Sequence, residues 1–343
     1  MSTRLLAREP LVSVLLPVHD GAATIGQCIR SLTAQTLRPI EIIAVDDGSS
    51  DKTAALLTAA AIRDPRVVVL HQRHGGIVSA LQRAAAAARA PVLARMDADD
   101  TCTPDRLARQ LRMLRRRPDL GVVGCLVQTF SDGVVSAGWR QYEDWLNRRR
   151  TSNEIVRDLF VESPLAHPSA LIRRAAFDAV GGYRDFDGPE DYDLWLRLVG
   201  AGWPLAKVPA VLLAWRDHPG RLTRTDPRYR PEAFVRLKAH HLARGPLRGC
   251  PRPVWIWGAG RYGRHLARAL EAEGNQPAAF VDIDPVKIGR TRRGRPVLGP
   301  AALAGAPDPL VLVAVPVVGA RALIRRRLNA LGRREGRDYI CCA

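Results

Sequence analysis

Seven aspartates stand in two short segments of the chain: Asp46, Asp47 and Asp51, then Asp97, Asp99, Asp100 and Asp105. Helix N-termini welcome carboxylates and Asp-Gly makes turns, which accounts for Asp51, Asp105 and Asp47-Gly48. It does not account for Asp97, Asp99 and Asp100, three carboxylates in four positions. Such a cluster repels itself unless a cation sits among it, and all-oxygen ligands favour Mg²⁺ or Mn²⁺. Mg²⁺ commonly takes one or two carboxylates and fills its shell with substrate phosphates and water, so the chemistry indicated is that of a metal-bound phosphate ester such as a nucleotide. A second acidic pair, Glu190-Asp191, follows Pro189 and precedes Leu194 and Leu198, at the spacing of a helix start. The helix dipole alone would favour acids there, and the same field keeps a carboxylate ionised and ready to accept a proton.

The elements that must hold these groups show as an alternation. Strand-type runs recur at Leu11–Leu16, Ile40–Val45, Val67–Leu70, Val92–Met96 and Gly121–Val127. Between them Ile25, Cys28, Ile29 and Leu32 keep helical spacing, Gly75-Gly76 opens an alanine-rich helix, and Thr103-Pro104 reads as an N-cap followed by proline at the first helical position. This predicts an α/β fold: a mostly parallel sheet with helices on both faces, whose ligands bind beyond the carboxyl ends of the strands. Pro17–Gly21, Asp46–Asp51 and Asp97–Asp100 stand at such ends.

The runs Val14–Asp20 (VLLPVHD), Val45–Asp51 (VDDGSSD) and Arg95–Asp100 (RMDADD), in that order, resemble the signature of family 2 glycosyltransferases, GT-A-fold enzymes that use nucleotide-diphospho-sugars. The resemblance covers roughly residues 11–220. It implies inverting transfer of a sugar, from a UDP-sugar foremost, to a hydroxyl of a saccharide or lipid-linked acceptor in surface polysaccharide or glycoconjugate synthesis. By the same match Pro17, His19, Asp46 and Asp47 hold base and ribose, Asp97 meets ribose, and Asp99 ligates a Mg²⁺ or Mn²⁺ that bridges the diphosphate. Arg95 either contacts the donor or pairs with the surplus carboxylates. His19-Asp20 stands where the family often has tyrosine and asparagine. Glu190-Asp191 matches the family's Glu-Asp motif, which makes Asp191 the base and Glu190 its orienting neighbour or an acceptor ligand. His167-Pro168-Ser169-Ala170 resembles a stretch lining the acceptor side and reads equally as a capped turn. Trp215–Arg221 resembles the loop after the catalytic helix, with His218 completing the metal shell and Arg221 meeting the diphosphate.

A second domain is expected beyond a Gly/Pro/Arg-rich linker at 245–253, giving domains at 1–244 and 254–343. Strand Val254–Trp257, then Gly258, Gly260 and Gly263 in a GxGxxG turn, a helix, and Asp282 at the end of a second strand meet the pattern of a dinucleotide fingerprint. Phe280–Pro285 and Gly294–Pro300 look like the small Rossmann-like domain of sugar acyltransferases and of some methyltransferase C-termini. A structural or docking role, a nucleotide or nucleotide-sugar site and NAD(P) chemistry all stay open there, the last making a sugar-nucleotide oxidoreductase the alternative function.

The chain has 343 residues and carries 52 Lys/Arg against 34 Asp/Glu, net +18, which raises nucleic acid, anionic membrane and phosphorylated substrates as partners. Only four of the 52 are lysines, so arginine-rich codon usage explains part of the excess. No recognition motif or aromatic stacking series speaks for nucleic acid. Residues 245–343 hold 17 Lys/Arg against 7 Asp/Glu, a density that codon usage would not confine to one domain. That points to an anionic surface, a membrane or a partner enzyme. Six scattered cysteines without paired spacing suit a reducing compartment. The expected location is the cytoplasm, with peripheral contact at the inner face of the cell membrane.

Overall fold

The computed structural model describes residues 9–306 and 308–343. In chain order the first elements are β1 (Val12–Val18), α1 (Ile25–Thr33), β2 (Ile40–Asp47), α2 (Thr53–Arg63), β3 (Val67–Gln72), α3 (Gly76–Ala87), β4 (Val92–Arg95), β5 (Thr101–Cys102), α4 (Arg106–Arg116) and β6 (Val122–Phe130). Then come α5 (Ala137–Arg148), α6 (Ser152–Arg157), β7 (Leu171–Arg173), α7 (Arg174–Ala179), α8 (Glu190–Gly200) and β8 (Leu205–Arg216). The remainder comprises α9 (Leu222–Thr225), α10 (Pro231–Arg244), β9 (Val254–Trp257), α11 (Arg261–Ala272), β10 (Ala279–Val281), β11 (Thr291–Arg292), β12 (Arg295–Leu298), β13 (Leu310–Val313), α12 (Ala320–Ala330) and β14 (Tyr339–Cys341).

Two compact units result. One takes the chain up to Ile155 with Pro164–Phe186 and Glu190–Arg221; the other takes Val156–Ser163, Asp187–Pro189 and Leu222–Ala343. The division therefore departs from the composition-based linker at 245–253. Helix α10 belongs to the second unit because Val235, Ala239 and Leu242 are buried in one cluster with Ile256, Leu266 and Phe280. Composition marks where the chain turns, whereas burial decides which core a helix joins.

The first unit is an eight-stranded sheet in the order β3-β2-β1-β4-β7-β6-β8-β5. β1 to β4 are parallel neighbours, β6 runs parallel to β8, and β7 lies antiparallel between β4 and β6. Side chains alternate across it: Val12, Val14, Leu16 and Val18 of β1 join the cluster packed by α1, α2 and α4, while Leu15 joins that of α3, α7 and α8. Ile25, Cys28, Ile29 and Leu32 are the buried face of α1, as their spacing requires. The expected cap at Thr103 is displaced. Thr103 Oγ1, the atom that would cap, instead donates to Asp105 Oδ1 at 2.7 Å, its N–H bonds Leu212 O at 3.0 Å beside the β5–β8 ladder, and α4 starts at Arg106.

In the second unit β12, β10, β9, β13 and β14 form a parallel sheet in that order, with β11 as a hairpin partner of β12. The strand order reverses at β9, so the crevice at the carboxyl ends opens beside the glycine-rich turn.

Candidate active site

The parallel registers bring three loops to one edge of the first sheet. Val18 pairs with Asp46, and Asp46 with His71, so the ends of β1, β2 and β3 lie level. Next to β1 on its other side, β4 ends at Arg95 and releases the acidic loop.

Ligand atoms of Asp97, Asp99 and Asp100 fall within 4.8 Å of one another. His218 closes on them, its Nε2 lying 2.9 Å from Asp99 Oδ2. Asp100 is buried, and its Oδ1 accepts the Arg216 N–H at 2.8 Å while Oδ2 has no hydrogen-bond partner. Burial, then repulsion from Asp97 and Asp99, pushes the Asp100 carboxyl well above the usual range. Three converging carboxylates, one orphaned buried oxygen and an adjacent imidazole form a donor set that fits a divalent cation. Arg216, to which sequence reading gave no role, ties this loop down: Nε donates to Asp99 O at 3.1 Å, Nη1 reaches Asp132, and Nη2 donates to Gln27 Oε1 at 3.1 Å. Arg221 Nη1 donates to Arg216 O at 2.5 Å, and its guanidinium lies 4.6 Å from the Trp215 ring centroid. Arg221 is thus largely buried beside the acidic loop.

Arg95 is enclosed, with 1% exposure. Its Nη2 meets Asp97 Oδ1 at 2.5 Å and Nη1 donates to Met96 O. Of the two roles open to it, the geometry builds the pairing with surplus carboxylate, and any influence on a donor passes through Asp97.

At the ends of β1 to β3, Asp46 Oδ1 accepts Ser49 N–H at 3.2 Å and Oδ2 lies 3.0 Å from His71 Nδ1. Asp47 accepts from Gly75 N–H at 2.8 Å, Gly76 N–H at 2.9 Å and Gln72 Nε2 at 2.7 Å, so it anchors the start of α3. His19 and His74 stack at 4.1 Å between centroids, each with Nδ1 toward Asp47 O. Pro17 sits one residue before the end of β1, paired with Val45.

Glu190 and Asp191 begin α8, whose Leu194 and Leu198 are buried as their spacing requires. The two acids part company: Glu190 is buried with Oε1 3.4 Å from His167 Nδ1, and Asp191 is half-buried. His167 Nε2 lies 2.8 Å from Tyr183 Oη, so the segment that read equally as a plain turn carries a side chain into this group. Burial, then the charge of Arg95, holds the His167 imidazole below its usual range. Five of the eight histidines, His19, His71, His74, His167 and His218, stand in these groups, a concentration visible in the sequence only once the strand ends are aligned.

The glycine-rich turn of the second unit is built largely for its own packing. Gly258 has φ +120, and a Cβ on Gly263 would lie 1.8 Å from Gly258 O. Gly260 faces open space. Asp282, expected to hold ribose hydroxyls, is occupied internally: Oδ2 accepts Ala259 N–H at 2.9 Å, Oδ1 accepts Asp284 N–H at 3.0 Å, and Lys287 Nζ lies at 3.3 Å. A dinucleotide would have to compete with all three, which removes the main support for the oxidoreductase alternative.

A mostly parallel sheet with helices on both faces and an acidic loop at its carboxyl edge is the architecture of a GT-A glycosyltransferase, and comparison with known proteins agrees. The family model "Glycosyl transferase family 2" matches residues 13–181. The amylovoran biosynthesis glycosyltransferase AmsE of Erwinia amylovora is 30% identical over 210 residues, covering 60% of this chain and 76% of that protein. The O-antigen biosynthesis protein RfbC of Myxococcus xanthus is 31% identical over 220 residues, 62% of this chain but 16% of its own length. Among solved structures, S. aureus TarS 1–349 in complex with UDP-GlcNAc superposes with a TM-score of 0.56 at 17% identity, covering 76% of this chain and 71% of that one. The Pyrobaculum calidifontis mannosyltransferase PcManGT in complex with GDP-Man and Mn²⁺ gives 0.50 at 16% identity, covering 95% of this chain and 81% of that one. The chain belongs to glycosyl transferase family 2. It is a glycosyltransferase.

Proposed function

We propose that this enzyme transfers a sugar with inversion from a nucleotide-diphospho-sugar, a UDP-sugar foremost, to a hydroxyl of a saccharide or lipid-linked acceptor in surface polysaccharide synthesis. The convergence of His218 on the Asp97–Asp100 cluster, at the edge that also carries Asp46 and Asp47, is the observation that carries this reading. Pro17, His19, Asp46 and Asp47 receive base and ribose, Asp97 the ribose with Arg95 steadying it, and Arg221 faces the diphosphate. Asp99 and His218 would hold Mg²⁺ or Mn²⁺, which supplies Lewis-acid neutralisation of the departing diphosphate. Support comes from the complexes of the two structural neighbours, one with UDP-GlcNAc and one with GDP-Man and Mn²⁺.

Asp191 takes the proton of the acceptor hydroxyl as its oxygen bonds to the anomeric carbon and the bond from that carbon to the diphosphate oxygen breaks. Glu190, held against His167, cannot serve equally because it is buried; it fixes the first turn of α8. Replacing Asp191 with Asn should lower transfer by about 10²–10⁴-fold and leave donor binding by calorimetry nearly unchanged. Full turnover by Asp191→Asn would remove the base from this scheme. Asp99→Ala should weaken metal-dependent donor binding, and an unaltered Mn²⁺ requirement would remove the ligand role. The names of the AmsE and RfbC relatives, amylovoran and O-antigen biosynthesis, support a polysaccharide acceptor. Contact with an anionic membrane face through Arg290, Arg292, Arg326 and Arg327 belongs to the same proposal, since all four are solvent-accessible.

A further inference from the structure

A second set of metal-type ligands meets at the ends of β1 to β3, and its chemistry differs from that of the carboxylate cluster. Ligand atoms of His19, Asp47 and His74 lie within 4.8 Å of one another. His19 Nδ1 stands 2.9 Å, and His74 Nδ1 3.1 Å, from one and the same oxygen, the main-chain carbonyl of Asp47. A carbonyl only accepts, so each Nδ1 donates to it, which in the neutral ring leaves the lone pair on Nε2. Metal-binding histidines are prepared in just this manner, with the non-ligating N–H fixed by a carbonyl or carboxylate.

The rings stack with centroids 4.1 Å apart and 30° between their planes, and His74 Nδ1 also lies 3.0 Å from Asp47 Oδ2. A third donor stands close: Asp20 Oδ2 is 3.6 Å from His19 Nε2. Two ligands of one tetrahedral zinc, each about 2.0–2.1 Å from the ion, are about 3.3 Å apart. The arrangement is anchored from beneath. Gly48 has φ +70, and a Cβ there would lie 2.6 Å from His74 N, so the close approach of the two loops depends on that glycine. Core packing does not explain the imidazoles, whose side chains are 42% and 60% exposed.

We propose that His19 and His74, with Asp20 beside them and Asp47 orienting both rings, form a transition-metal site, for Zn²⁺ foremost. Imidazole pairs suit Zn²⁺, Ni²⁺ and Cu²⁺, whereas carboxylate sets suit Mg²⁺ and Mn²⁺, so the two clusters select different cations. Where His19 also contacts the donor, as the proposed function has it, bound zinc withholds that contact and inhibits competitively with nucleotide-sugar.

The test uses metal-free full-length protein titrated calorimetrically with Zn²⁺ alone, in wild type, His74→Ala and His218→Ala. A zinc site retained by His218→Ala and weakened roughly ten-fold or more in His74→Ala is the expected result. Identical isotherms for wild type and His74→Ala would overturn it, as would loss of the site in His218→Ala alone, which would put the zinc in the carboxylate cluster. Zinc-free melting curves check that His74→Ala is folded, and His19→Gln repeats the test from the other ring. Zinc binding without competition against UDP-sugar would leave the site standing and remove only its link to the donor.

Discussion

Residue by residue, the site works by giving similar groups different surroundings. Glu190 and Asp191 are neighbours in sequence, yet one is buried against His167 and the other is half-buried. Asp99 meets His218 while Asp100 is buried under Arg216 N–H. His167 yields a prediction at this scale. Its folded pKa is depressed by burial, so below the unfolded value of about 6.5 the unfolded state binds the extra proton. Stability from this group is complete above that pH and is lost as pH falls beneath it. The melting temperature should drop between pH 7 and pH 5, and His167→Gln should flatten that slope; an unchanged slope would show that other groups set it. The cluster Asp97–Asp99–Asp100 was legible in the sequence because composition could not explain it, and the pairing of Arg95 with it was one of the two roles its position offered. The internal engagement of Asp282 was not legible, because motif spacing says where a side chain starts and not what already holds it.

At the scale of elements, period and punctuation predicted the framework well. The buried face of α1 and the starts of β2, β3, β4 and β9 follow from local pattern alone. The failures are non-local. Thr103 could cap a helix, but its hydroxyl is taken by Asp105 and its N–H by β8, and α10 looks like the end of the first domain until its apolar face is matched with β9 and α11. The glycines of the second unit make the distinction testable. Gly263→Ala would place a methyl 1.8 Å from a carbonyl oxygen and should destabilise that unit by at least about 2 kcal/mol. Gly260→Ala, at φ −73 in open space, should change stability by less than about 1 kcal/mol. Denaturant melts of the two variants decide this, and equal effects would mean that the turn is held by something other than packing.

For the whole molecule, charge is the quantity that distinguishes the parts. Residues 245–343 carry 17 Lys/Arg against 7 Asp/Glu, while the first unit gathers Asp97, Asp99 and Asp100 at the sheet edge. Among the described residues no helix is long and apolar enough to cross a membrane. If the arginines serve an anionic surface, the protein should sediment with vesicles containing phosphatidylglycerol and dissociate as salt shortens the Debye length from about 10 Å toward 3 Å. Binding to neutral vesicles of equal strength would contradict this.

The reversed strand β7 has a consequence for how the protein is made. It fills the place between β4 and β6, yet it follows both in the chain by some forty to eighty residues. During synthesis the inner edges of both strands therefore wait, with unpaired amides and carbonyls, until Leu171–Arg173 leaves the ribosome. A chain stopped before residue 171 would contain Asp46, Asp47 and the Asp97–Asp100 cluster and still leave β4 open on one side and β6 on both, since β8 also follows. Fragments cut to the motif alone are thus poor reagents, because β7 is the strand that joins β6 to the parallel half of the sheet and β8 completes it afterwards.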